Sequence, residues 1–84
     1  VRRIFKYPAK LGHFRVEMPR GAEILAIQVQ DGEFVLWARI DESEPPEIRR
    51  FALVGTGHDL GHAAQWNYKG TIQDGQFVWH LLAE

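Results

Sequence analysis

Apolar and polar residues alternate along most of this chain with a period of two, the period of strands rather than helices. Arg3, Phe5 and Tyr7 fall on one side of the first run and Arg2, Ile4 and Lys6 on the other. Pro8 ends that run, so Arg2 to Tyr7 reads as an edge or terminal strand. Gly12 resets the chain, and His13 to Met18 alternates again with Phe14, Val16 and Met18 on one face. Pro19, Arg20 and Gly21 predict a turn.

Glu23 to Gln30 and Glu33 to Asp41 flank Asp31-Gly32, the dipeptide best suited to a two-residue hairpin turn. Such a turn pairs Val29 with Phe34, Ile27 with Leu36 and Leu25 with Ala38 on an apolar face. The opposite face is mixed, with Ala26 opposite Trp37, Gln28 opposite Val35 and Ile24 near Arg39, and a partial cover is expected there. Glu42 to Glu47 reads as an acidic linker, because Pro45 and Pro46 do not suit a central strand.

Arg49 to His62, RRFALVGTGHDLGH, predicts a strand that runs into a glycine-broken loop. One helical turn is expected around Gly61 to Gln65. Trp66 to Gln73 and Gln76 to Leu82 then flank a second Asp-Gly pair, Asp74-Gly75. That turn would set Ile72 against Phe77, Gly70 against Trp79 and Lys69 against His80. The whole predicts an all-β, mainly antiparallel fold: a small sandwich or barrel of about seven short strands built around two hairpins. At most one short helical turn interrupts it.

At 84 residues the chain is read as a single domain, 1–84, of a size that gains from oligomerisation. The absence of cysteine removes disulfides and thiolate metal sites, and fits a reducing cytoplasm. A net charge of −1 argues against a nucleic-acid polymer as partner. No apolar run approaches a membrane span, and the start VRRIFKYPAK is too poor in apolar residues for a signal peptide.

Chemistry gathers in the glycine loop. Gly55 and Gly57 suit a backbone that turns tightly and offers N–H donors to an anion, with Thr56 and His58 beside them. The loop lacks the lysine of a P-loop and the full dinucleotide fingerprint. His58 and His62 have the spacing of a helical metal pair, but Gly61 opposes a helix and no third ligand is nearby, so no metal is expected. No nucleophile stands beside His58 in the sequence, and no catalytic residue or cofactor is assigned. Strand arginines, Arg49 and Arg50 above all, suit phosphate recognition. Trp66, between Gln65 and Asn67, is the aromatic residue least expected in the core, suited equally to stacking on a base or to a subunit interface.

The ordered motifs RRIFKYP, VEMPRGAEILAIQVQDG, LWARID, RRFALVGTGH and YKGTIQDGQFVWHL resemble a family of small proteins of unknown function encoded by tailed phages and prophages. His58 falls in the shared Val-Gly-Thr-Gly-His block, whereas the segment holding His62 varies among such sequences. The resemblance implies a host-cytoplasmic accessory protein of the kind that blunts host defence. It adds a specific expectation: a homo-oligomeric binding protein that sequesters a small nucleotide-like signal. The expected site is Arg49, Arg50, Gly55, Thr56, Gly57, His58, Trp66 and Trp37. A protein-binding module that inhibits a host factor and a His-dependent hydrolase or lyase are the alternatives.

Overall fold

Seven strands and one 3₁₀ turn build the protein in a computed structural model that describes residues 1–84. They are β1 (Arg2–Pro8), β2 (Gly12–Pro19), β3 (Glu23–Gln30), β4 (Glu33–Asp41), β5 (Pro46–Gly55), β6 (Asn67–Asp74) and β7 (Phe77–Ala83), with the 3₁₀ turn at Gly61–Gln65. A three-stranded sheet runs β1-β4-β3 and a four-stranded sheet runs β2-β5-β7-β6, with every pairing antiparallel. Of the small all-β sandwich or barrel expected from the alternation, the sandwich is the one observed.

The inward faces of the two sheets meet in one apolar cluster. Ile24, Ile27, Leu36, Ala38 and Ile40 come from the first sheet, and Phe14, Met18, Phe51, Leu53 and Leu81 from the second. Phe14 stacks on Phe51 across the β2–β5 pair at 5.3 Å. On one side the sheets draw close where β6 carries no side chain. A Cβ on Gly70 would lie 3.4 Å from Ile27 Cγ2. At the other side β1 and β2 are edge strands.

The first hairpin turns at Asp31-Gly32, both at positive φ (53° and 79°), the backbone of a type I′ turn. Its register follows the expectation from Gln30–Glu33 to Ala26–Trp37. A bulge at Leu25 then pairs Ile24, not Leu25, with Ala38. The extra residue lets Ile24 and Ile27, three apart, both face the core, and Leu25 is left exposed. On the mixed face of this hairpin Val35 is buried and Trp37 half-buried. Trp37 Nε1 there donates to Gln28 Oε1 at 2.8 Å.

The second hairpin forms with its turn one residue later than expected. Asp74 pairs with Phe77, and the turn is Gly75-Gln76, with Gly75 alone at positive φ (61°). That is the pattern of a type II′ turn, which needs glycine at its first central position. The register therefore shifts by two, so faces are kept while partners change. Ile72 now opposes Trp79, Gly70 opposes Leu81 and Thr71 opposes His80.

β5 starts at Pro46, inside the stretch expected to be linker. Pro46 to Arg49 pair only with β2; the β7 pairing ends at Phe51, and just past it Glu84 N–H donates to Arg50 O at 3.0 Å. Proline is tolerated there because it opens the strand and faces no β7 partner.

Candidate functional site

The outer face of the four-stranded sheet carries the polar chemistry. Burying Phe14 and Met18 inward turns His13 and Arg15 outward on β2, and burying Phe51 and Leu53 turns Arg50 and Ala52 outward on β5. On β7, His80 and Leu82 share that outer face with Ala52 and Val54. Past β5, Gly57 and Gly61 take positive φ (86° and 57°), and the chain folds back as the 3₁₀ turn. Ala63 of that turn is buried against Ala52 and Leu82, with Val54, Leu60 and Trp66 packed around them. This small second core divides the face into two hollows.

The first hollow, of about 320 Å³, is lined by His13, Arg15, Arg50 and Trp66 over Phe14 and Phe51. Arg15 and Arg50 are direct cross-strand partners, and His13 is the partner of Ala52. The Trp66 ring meets His13 edge-on at 5.6 Å and 77°. Arg15 makes no ion pair, and Arg50 Nη1 comes only within 3.9 Å of Glu84 Oε1, with both side chains more than half exposed. Such a contact contributes little in water. Two arginines thus stand directly opposite each other on adjacent strands with little compensation, next to an indole.

The second hollow, of about 300 Å³, has Val54, Leu60 and Leu82 as apolar walls and Thr56, Gly57, His58, Tyr68 and His80 at its rim. His80 is the centre of a hydrogen-bonded group. Its Nε2 lies 2.7 Å from Thr56 Oγ1 and its Nδ1 2.8 Å from Tyr68 Oη. Tyr68 also bonds Thr71, whose Oγ1 lies 3.3 Å from His80 Nδ1. Both ring nitrogens are therefore engaged, which fixes the orientation of the imidazole. Within the loop, Thr56 N–H donates to Val78 O at 3.2 Å and His58 N–H to Gly55 O at 3.1 Å.

Gly55 has a packing reason to be glycine. A Cβ there would lie 3.0 Å from His58 Cε1, 3.1 Å from His58 Nδ1 and 3.1 Å from Trp79 Cζ3. The His58 ring lies edge-on to Trp79 at 6.5 Å, so this histidine folds back on the end of the sandwich. Trp79 also stacks with Phe77 at 5.9 Å and meets Phe34 edge-on at 6.3 Å.

Of the residues singled out by sequence, Arg50 and Trp66 come together in the first hollow, and Gly55, Thr56, Gly57 and His58 border the second. Arg49 points inward instead. Its Nη1 donates to Ala22 O at 3.0 Å, and its guanidinium sits 5.8 Å from the Phe51 ring centre. Trp37 lies on the outer face of the other sheet, away from both hollows. Asp59 accepts the Gly61 N–H at 2.9 Å, and His62 is exposed on the 3₁₀ turn. No group of three or more His, Asp or Glu is placed to hold a metal ion. Sequence reasoning missed His13, Arg15, Tyr68 and His80. The β2 alternation already carried the signal for His13 and Arg15, because burying Phe14 and Met18 leaves them on the opposite face.

A family model described as a domain of unknown function (DUF7352) matches residues 1–84, and the chain belongs to that family. No curated protein and no solved structure matches it. No helix is long and apolar enough to cross a membrane.

Proposed function

We propose that this domain captures, without cleaving it, a small phosphorylated aromatic ligand such as a nucleotide, on the outer face of its four-stranded sheet. The observation that carries the reading is the Arg15–Arg50 pair beside Trp66. Like charges directly opposite on a sheet repel, and an anion bound between them removes that cost. Arginine presents the forked donors that phosphate oxygens accept. Trp66 gives a base a face to stack on, worth about 1–3 kcal/mol per base in single-stranded nucleic-acid binders. The hollow is at the small end of ligand sites, roughly 300–1,000 Å³, and suits one base with its phosphate. The finer form of the proposal is a phage-encoded, homo-oligomeric sink for a host defence signal, acting in the host cytoplasm.

The test is recovery of the ligand. Protein isolated from cells that make the signal is heat-denatured, and the released small molecules are weighed by mass spectrometry. An intact nucleotide in stoichiometric amount supports capture. Recovery of cleavage products alone sinks it.

A second reading, hydrolysis or lysis of the same class of ligand, draws on His80 rather than His58. His80 is hydrogen-bonded to the Thr56 hydroxyl and oriented from its other side by Tyr68, the arrangement of an activated hydroxyl. A His80→Gln variant that keeps binding but loses turnover would favour it.

A further inference from the structure

β1 is the outer strand of the three-stranded sheet, and both of its faces are open: Ile4 is 60% exposed and Phe5 40%. The hydrogen bonds at its two ends show which residues face inward. Glu42 N–H donates to Val1 O and Ala9 N–H to Phe34 O, both on the β1–β4 register. Hydrogen-bonded pairs alternate along an antiparallel ladder, so Arg3, Phe5 and Tyr7 spend their backbone groups on β4. Arg2, Ile4 and Lys6 therefore aim N–H and C=O at the free edge. Pro8 offers only a carbonyl there.

We propose that two copies of this chain pair through β1, antiparallel, with Phe5 facing Phe5 on the two-fold axis, so that two three-stranded sheets become one. Charge selects the register. Only Arg2, Ile4 and Lys6 can bond across the edge, so an allowed register matches even positions with even ones. An axis at Ile4 sets Arg2 against Lys6. An axis at Arg3 sets arginine against arginine, and one at Lys6 sets lysine against lysine. An axis at Tyr7 leaves Lys6–Pro8 as the sole bonding pair across the edge, and Pro8 has no N–H to return. The axis at Phe5 sets Ile4 against Lys6, whose N–H and C=O groups bond fully, Arg3 against Tyr7 and, at the ends, Arg2 against Pro8, where only the Pro8 carbonyl bonds; no cation faces a cation. Cations on an edge strand ordinarily block edge-to-edge pairing by repulsion, and here they block every longer register but this one. The ring of each copy then covers the half-exposed ring of the other, an isologous contact of the kind two-fold dimers use. This contact supplies the self-association in the capture proposal, but rests on none of the ligand-site residues and is tested without ligand.

The chain has no cysteine, so introduced single cysteines report on the contact cleanly. Sedimentation velocity of the unmodified protein is expected to show a monomer–dimer equilibrium that shifts with concentration. Ile4→Pro removes an N–H that points outward, so it is expected to keep the β-sheet circular dichroism of the parent and to be monomeric where the parent is dimeric. Under mild oxidant, Phe5→Cys should cross-link at least tenfold faster than Ile4→Cys. An equimolar mixture of Arg3→Cys and Tyr7→Cys should cross-link to each other faster than either alone. A parent that stays monomeric at all concentrations overturns the proposal. So does a dimeric Ile4→Pro, or a Phe5→Cys no faster than Ile4→Cys. An Ile4→Pro that unfolds overturns it as well, since the N–H would then be needed within the chain.

Discussion

Arg15 lies directly opposite Arg50 across the β2–β5 ladder, on the outward face of the sheet and beside the Trp66 ring. Glu84, the one carboxylate paired with either, stays 3.9 Å away. Like charges directly opposite on a sheet destabilise it, on the scale of about 0.2–1 kcal/mol at which cross-strand pairs act. Arg15→Gln is therefore expected to leave the free protein as stable as the parent or slightly more so, by up to about 1 kcal/mol in urea unfolding. The same substitution should abolish binding of a phosphorylated ligand. A marked loss of stability would mean that the arginine is a structural residue.

Gly55 is fixed by its neighbours. Gly55→Ala would press a methyl group against the His58 ring and Trp79 Cζ3. Overpacking of this kind costs about 1–3 kcal/mol. Two of the three close approaches are to His58, so the Gly55→Ala, His58→Ala double variant should recover part of the loss. Urea midpoints of the four proteins in this cycle give the coupling directly.

The two hairpin turns predict opposite responses at the aspartates that precede their glycines. Asp31 is itself in the turn at positive φ (53°), so Asp31→Val should cost about 1–2 kcal/mol, as a β-branched residue in the left-handed region does. Asp74 is instead the last paired residue of β6, opposite Phe77, and Asp74→Val should stay within about 0.5 kcal/mol of the parent. Equal losses in thermal unfolding would place both turns on Asp-Gly after all.

These turns also mark how far the fold can be read from the chain. Period-two alternation, the Asp31-Gly32 turn and the glycine-broken end of β5 are local features, and each leads to the element observed. The bulge at Leu25 serves the burial of Ile24, and the position of the second turn places Ile72 against Trp79 and Thr71 against His80. Both depend on partners distant in sequence. For the same reason His80 and Tyr68 were not read as site residues: nothing near them in the chain names Thr56, 24 residues from His80, as a hydrogen-bond partner. Arg49 and Arg50 look alike in sequence, yet alternation sends one to Ala22 O and the other to solvent.

Acid stability has one identifiable local contributor. Ser43 donates its hydroxyl (2.7 Å) and its backbone N–H (3.0 Å) to Asp41 Oδ1, and these bonds hold the carboxyl below the ordinary aspartate value. A depressed folded value means that the contribution is fully present above the ordinary aspartate value and is lost as pH falls through the lower, folded one. Ser43→Ala should raise the Asp41 titration midpoint toward the ordinary value, followed by NMR of the side-chain carboxyl carbon. An unchanged midpoint would assign the depression to another group.

The Tyr68 hydroxyl links His80 to Thr71 at the rim of the second hollow. Tyr68→Phe keeps the ring and removes that link. A hydrogen bond of this kind contributes about 0.5–1.5 kcal/mol, and the low end applies because Tyr68 is 56% exposed. The larger effect should be on the imidazole. Proton and nitrogen NMR of His80 should show a more mobile ring with faster-exchanging N–H in the variant than in the parent.

The central claim is that the Arg15–Arg50–Trp66 hollow holds a phosphorylated aromatic ligand, and a thermal-shift screen tests it most directly. The panel contains mononucleotides, cyclic dinucleotides, cyclic trinucleotides and cyclic NAD-derived products, run on the parent, Arg15→Gln, Arg50→Gln and Trp66→Ala. A ligand at about 100 times its Kd stabilises by about 2.7 kcal/mol, several degrees for a domain of this size. The account predicts such a shift for at least one phosphorylated nucleotide with the parent and none with the three variants. A flat panel for the parent, or a shift that survives all three substitutions, would contradict it.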